Sequence, residues 1–322
     1  MVSNDDVLDC LIIGAGPAGL VAATYLTRFH RCIAVVDAGN SRVKWIPSSH
    51  NCPGFPFGVA GSALLDKLRM QAEGHGAQVT SGRITALQRD HDDFIASDDQ
   101  GRRYRARHVL IATGIVDRMP KVAGPAGALQ QAVAAGAIRL CAVCDGYEAS
   151  DERIAVYGPV DDAIHHAVFL RTFSRQVTAV RSQPGAPSDA CAALARAARV
   201  TVLPVPNALQ HDPDGGCTIV LDDDTRHFDT VYPVLGGDAQ SQLATALGAK
   251  VDNSGELIVD DKQQTSVDGL YAIGDVVSAL NQISVALGHA AIAASAIHSR
   301  LPHNFREDEA SQSETAAELP SP

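Results

Sequence analysis

No stretch of this chain offers about 18 uninterrupted apolar residues, the length a membrane-crossing helix needs. The start, MVSNDDVLDC, lacks the basic segment and apolar run of a secretory leader. A cytoplasmic location with no membrane partner is therefore expected. Basic residues are also in short supply: 26 Lys and Arg against 37 Asp and Glu give a formal net charge of -11. That balance argues against nucleic acid as a partner, because binding phosphates needs concentrated Lys and Arg. Metal-type cysteine spacing is missing too. Of seven cysteines, Cys10, Cys32, Cys52, Cys191 and Cys217 are scattered and read as reduced, mostly buried thiols; no metal site is expected. What remains is 322 residues with 46% hydrophobic content, enough for a full core in two domains.

The segment VLDCLIIGAGPAGLVAATYLTRF runs from an apolar strand through a glycine turn into a helix, and CIAVVDAG is the next strand. This is a βαβ unit. Gly14, Gly16 and Gly19 form G-x-G-x-x-G, with Pro17 and Ala18 completing GAGPAG, and Asp37 closes the second strand eighteen residues after Gly19. The glycines permit a tight turn, close approach of a pyrophosphate to the helix start, and helix-to-strand packing. The carboxylate accepts from a ribose hydroxyl. Asp37 repels a 2′-phosphate, so the pattern predicts FAD or NAD rather than NADP.

CAVCDGYE places Cys141 and Cys144 two residues apart. With no second CxxC and no nearby His pair, the spacing reads as a redox dithiol; half of a metal site and coincidence are the competing readings. A helix beginning at the pair lowers the first thiol's pKa, and Asp145 is placed to exchange a proton as a thiol attacks or leaves.

Two further strand ends, Ala112-Thr113-Gly114 and Gly274-Asp275, resemble those of two-dinucleotide flavoproteins. That likeness makes the first nucleotide FAD. Because Gly274-Asp275 lies so far from Gly14, the FAD domain is discontinuous. The expected fold is α/β with two Rossmann-like three-layer domains. Residues 1–118 and 238–302 form the FAD domain, 119–237 form an inserted domain bearing the CxxC, and the polar, acidic 303–322 form a disordered tail.

The motifs GAGPAG, NCPGFP, ATG, CAVCDG and GDV, followed by NQISVALGHAAIAASAI, together resemble the low-molecular-weight thioredoxin reductase family, over nearly the whole chain to about residue 302. The resemblance implies a homodimer, Cys144 next to the flavin, Cys141 as the interchange thiol and Asp145 as the acid–base group. It also implies that the backbone at Gln282 and Ile283 meets the isoalloxazine ring at a helix start. The partner implied is a thioredoxin-like protein or a small disulfide or dithiol.

One loop departs from the family. Where a G-G-G-D-S-A type turn binds NADPH, this chain reads Gly158-Pro159-Val160-Asp161-Asp162-Ala163. Pro159 removes an amide N–H, Val160 adds a β-branched side chain, and Asp162 adds charge that repels a pyrophosphate. A His-Arg-Arg cluster for the 2′-phosphate is reduced to Arg181 alone. The sequence therefore predicts a disulfide oxidoreductase that does not take hydride from NADPH, with a ferredoxin-like protein as electron donor. The alternatives are an O₂-dependent dithiol oxidase, a conventional NADPH thioredoxin reductase, a second flavin or other nucleotide in the altered site, and a non-catalytic flavin-bound redox sensor. Cys52, standing for an aromatic residue, reads as a packing change. His289 replaces an acidic residue and is a candidate for proton handling. His165 and His166 read as ordinary surface or core residues.

Overall fold

The computed structural model describes residues 7–277 and 280–306. β1 (Leu8–Ile13) is buried at every position but one, as suits a central parallel strand covered on both faces. α1 (Pro17–Arg28) carries the chain to β2 (Ile33–Asp37), which pairs parallel to β1 with Cys10 opposite Ile33. After α2 (Gly61–Gly74) come β3 (Val79–Ser81), β4 (Ile84–Asp90), β5 (Asp93–Asp98) and the long β6 (Arg103–Ile111). β6 serves two neighbours on one edge: its first half pairs antiparallel with β5, while its last residues reach the strand that later returns. The ladder follows the order β3-β2-β1-β6-β5-β4.

The chain leaves this sheet through β7 (Ile115–Asp117). Past α3 (Ala128–Ala134) and the single turn α4 (Ala142–Asp145) lies a second βαβ start: β8 (Arg153–Gly158), α5 (Val160–Leu170) and β9 (Gln176–Arg181). α6 (Asp189–Ala198) and β10 (Thr201–Leu203) extend it. An antiparallel meander of β11 (Ala208–His211), β12 (Cys217–Val220) and β13 (Thr225–Phe228) covers the other face, and β14 (Thr230–Pro233) closes a parallel sheet of order β10-β9-β8-β14. Two apolar clusters flank that sheet. Ile164, Ala167 and Leu170 of α5 lie in one, and Ala132, Leu209 and Ile219 lie in the other.

Return is by β15 (Gly237–Ala239), antiparallel to β7, so the two connecting strands form one ribbon. α7 (Gln242–Thr245) and β16 (Leu270–Ala272) follow, and β16 completes the first sheet beside β6. α8 (Ile283–Arg300) then packs on α1 through Ala286, Ala290, Ala293 and Ala294, small residues that let the two helices approach closely. Both sheets are thus three-layered α/β units, the first built from the two ends of the chain. Among the described residues no helix is long and apolar enough to cross a membrane. Of the expected tail, His303 to Arg306 are exposed, and Asn304 Nδ2 donates to Phe29 O at 2.8 Å. Residues 307–322 lie outside the described residues.

Candidate active site

A cavity of about 660 Å³ lies between the two units. Gly14, Gly16, Pro17, Ala18, Asp37, Ala112, Thr113, Gly114, Gly274, Asp275, Gln282 and Ile283 line it, and so do Cys141, Cys144 and Asp145. Of the residues expected to hold the first dinucleotide or form the redox pair, Gly19 alone stands behind the wall, and its role is steric. A Cβ there would lie 2.0 Å from Gly14 O. Gly14 itself has φ +106°, and a Cβ on it would lie 2.4 Å from Ala112 O. No side chain caps the start of α1, and Pro17 occupies its first turn, so the N–H groups there stay open toward the cavity. Asp37 Oδ1 accepts from Ala15 N at 3.0 Å, which pins the end of β2 to the glycine turn. A glycine-cleared cradle, an uncapped helix start and a carboxylate at the second strand end fit a dinucleotide.

The dithiol pair forms a disulfide with an S–S distance of 2.08 Å. Cys141 is the N-cap of α4, its Sγ accepting from Cys144 N at 3.2 Å. From the other unit Gln282, at the N-cap of α8, reaches across: its Nε2 is 3.3 Å from each Sγ. Asp145 sits behind the pair. The hydroxyl of Tyr232, on β14, donates to Asp145 Oδ1 at 2.9 Å, and Arg139 Nη1 donates to Asp145 O at 3.2 Å. Burial raises the Asp145 carboxyl from its ordinary 3.8 to about 6; Tyr232 and Arg139 pull it down, while Glu148 and Glu152 push it up. A group that titrates near neutrality beside a disulfide can both hold and release a proton.

Arg42 ties the ribbon to the cradle. Its Nε and Nη2 donate to Asp117 at 2.7 and 2.8 Å, and Nη1 donates to Asp275 at 3.1 Å. Three residues on, Trp45 packs against the apolar cluster of the inserted unit that includes Ala132, Val133 and Ile138. Arg42, Trp45, Asn51 and Tyr232 were missed from sequence. Asn51 stood inside the NCPGFP motif; for the others no spacing signal existed.

At the altered loop, a Cβ on Gly158 would lie 2.5 Å from Val234 Cγ2. The one retained glycine is thus explained by packing. Pro159 is the N-cap of α5, with Asp161 and Asp162 in the first turn. Asp161 Oδ1 accepts from Ser188 N at 3.0 Å, so this carboxylate bridges the start of α5 to the segment before α6. That hydrogen bond holds the Asp161 carboxyl below its usual range. Arg181 is spent on backbone: Nη1 donates to Gly185 O at 2.8 Å and Nε to Leu203 O at 3.3 Å. His165 Nε2 lies 3.4 Å from Cys191 Sγ, a contact between α5 and α6. Cys52 is buried with Val59 and Leu64, away from the cavity wall, and burial pushes its thiol up. His289 Nδ1 has no hydrogen-bond partner among the described residues, and burial lowers its pKa.

Residues 8–290 match the family model of the pyridine nucleotide-disulphide oxidoreductases. The thioredoxin reductase of Mycolicibacterium smegmatis is 30% identical, the match covering 86% of this chain and 91% of the relative. That of Aquifex aeolicus is 28% identical, over 91% and 92% respectively. The crystal structure of thioredoxin reductase from Streptococcus pyogenes superposes with a TM-score of 0.82 at 27% identity, covering 91% of this chain and 97% of that one. This chain belongs to the pyridine nucleotide-disulphide oxidoreductases, and among them to the low-molecular-weight thioredoxin-reductase-like flavoproteins. It is a flavin-dependent disulfide oxidoreductase, and FAD is its cofactor.

Proposed function

We propose that this enzyme exchanges electrons between FAD and Cys141–Cys144 without NADPH, receiving them from a protein donor such as ferredoxin and passing them to a thioredoxin-like disulfide protein. One observation carries the reading. Pro159 is the N-cap of α5 and has no N–H, and Asp162 adds a carboxylate to the first turn, where a pyridine nucleotide's phosphates would need open N–H groups and no like charge. Arg181 supports it, since its guanidinium is already held by Gly185 O and Leu203 O and offers no clamp for a 2′-phosphate.

Residues 1–118 and 238–302 then act as the flavin domain and 119–237 as the inserted domain. The glycine turn Gly14 to Gly19 holds the pyrophosphate and Asp37 the ribose. Gly274 and Asp275 would flank the ribityl-phosphate side, Ala112-Thr113-Gly114 would close the flavin domain, and the backbone at Gln282–Ile283 would meet the ring. When bound, FAD supplies two-electron exchange with a disulfide. Cys144 takes the flavin-facing role and Cys141 attacks the partner disulfide, forming a mixed disulfide that Cys144 resolves. Asp145 holds the proton that the leaving thiolate needs, with Tyr232 hydrogen-bonded to its carboxyl and Arg139 to its backbone carbonyl. The working form is a cytoplasmic homodimer.

The test is anaerobic. FAD-loaded protein is mixed with excess NADPH while flavin absorbance is followed, and the mixing is repeated with dithiothreitol and with photochemical reduction. Bleaching by dithiol or light but not by NADPH is expected. Bleaching by NADPH within a turnover overturns the reading. Rapid reoxidation of the dithiol-reduced enzyme by O₂, with no electrons accepted from reduced ferredoxin, assigns the reverse direction, a dithiol oxidase.

A further inference from the structure

Among the described residues, the amide of Gln282 is the side-chain donor from the flavin-binding unit that is brought to both sulfurs, and its orientation is set by a chain of hydrogen bonds. Ser49 is 3% exposed and held by paired backbone bonds to Val59, Ser49 N to Val59 O at 2.8 Å and Val59 N to Ser49 O at 3.0 Å. Its hydroxyl donates to Asn51 Oδ1 at 3.1 Å. Asn51 Nδ2 in turn donates to Gln282 Oε1 at 3.0 Å. Asn51 holds the oxygen, which stands farther from the pair at 3.7 Å from Cys144 Sγ, and Nε2 faces the disulfide at 3.3 Å from Cys141 Sγ and 3.3 Å from Cys144 Sγ. Gln282 caps its own helix through backbone alone, so its side chain has no competing local use.

We infer that Gln282 is a catalytic residue that stabilises the thiolate of the reduced pair, and that Asn51 and Ser49 are positioning residues acting through it. In the step concerned, the S–S bond takes two electrons, delivered through the flavin, and one proton, which Asp145 relays from solvent. It breaks to leave one thiol and one thiolate. A hydrogen bond to an ionised acceptor is roughly twice as strong as one to a neutral acceptor. The amide therefore favours the reduced state over the disulfide. Because Nε2 is equally near both sulfurs, the gain holds whichever of them carries the charge. The donor sits on α8 and the sulfurs on α4, so the stabilisation exists only while the two units are docked. It raises the pair's reduction potential in the docked state and leaves it lower once the units part. A dithiol reduced against the flavin thus becomes a stronger reductant as it moves away.

This inference rests on Cys141–Cys144 being the redox couple, and the experiment separates the two. FAD-loaded wild type, Gln282→Met, Asn51→Leu and the double variant are equilibrated anaerobically in graded dithiothreitol buffers, then alkylated, and the reduced pair is quantified by mass spectrometry. Gln282→Met keeps the length of the side chain and removes both N–H donors. It is expected to disfavour reduction about tenfold, equivalent to ~30 mV for a two-electron couple, and to raise the thiolate pKa read from alkylation rate against pH. Asn51→Leu is expected to cost about threefold alone and nothing further in the Gln282→Met background. If Gln282→Met loses FAD, Asn51→Leu carries the test through the thiolate pKa, since it leaves the backbone at Gln282 intact. Equal potentials and equal thiolate pKa values in wild type and variants overturn the assignment of Gln282. An Asn51→Leu effect that persists undiminished without Gln282 overturns the positioning role. A pair that does not interconvert in any buffer overturns the reading of Cys141–Cys144 itself.

Discussion

Asp145→Asn isolates the cost of burying a carboxyl behind the disulfide. The folded protein holds the Asp145 proton up to about pH 6, whereas the unfolded chain releases it near 3.8. Between those values the folded state binds more protons, so this group's contribution to stability falls as pH rises from about 4 to about 6 and is flat beyond. A gap of about two pH units at 1.36 kcal/mol each amounts to ~3 kcal/mol, an order-of-magnitude figure. Asparagine has no charge to bury, and its Oδ1 can still accept from the Tyr232 hydroxyl. Urea unfolding of the oxidised, FAD-loaded proteins should thus show the variant gaining on wild type by up to ~3 kcal/mol between pH 4 and pH 7. Other titrating groups cancel in the difference. Turnover should move the opposite way, down by about 10²- to 10⁴-fold, because the proton carrier is gone. A stability difference that stays constant across this pH range would refute the claim that burial sets the protonation of Asp145.

Two further changes probe the cradle and the ribbon. Gly14→Ala forces φ +106° on a residue with a Cβ and drives that atom to 2.4 Å from Ala112 O. The left-handed conformation alone costs about 1–2 kcal/mol, and purified protein should carry little flavin, as read from the ratio of flavin to protein absorbance. Arg42→Ala leaves Asp117 and Asp275 facing each other without their shared cation. Because the group is partly exposed, a loss of about 1–3 kcal/mol in urea unfolding is expected, with faster FAD release on dilution.

The glycine turn and the CxxC were legible because each obeys a local rule: a strand end, a φ that only glycine adopts freely, or a fixed two-residue spacing. The parallel β1 and β2 with α1 between them follow from the same short-range pattern. Tyr232 was not legible as a partner of Asp145. It lies 87 positions further on, and in TVYPV it looks like any buried strand residue. Asn51 and Gln282 are 231 positions apart, and their meeting depends on how α8 starts, which no periodicity encodes. Arg42 resembled a solvated surface charge, since its two carboxylates come from the connecting ribbon and from the turn after β16. The altered loop shows both sides. Its loss of glycine and gain of proline could be read directly, but the bond from Ser188 N to Asp161 required the folded juxtaposition of α5 and α6.

Trp45 is the single tryptophan of the chain, and it belongs by sequence to one unit while packing on the core of the other. Any swing of the inserted unit must carry that indole from an apolar seat into water, shifting its emission to longer wavelength. The wall it shares with the flavin cavity makes the same residue an energy donor to a bound isoalloxazine. Any such movement during turnover would be reported by the protein itself as a change of colour, with no label attached.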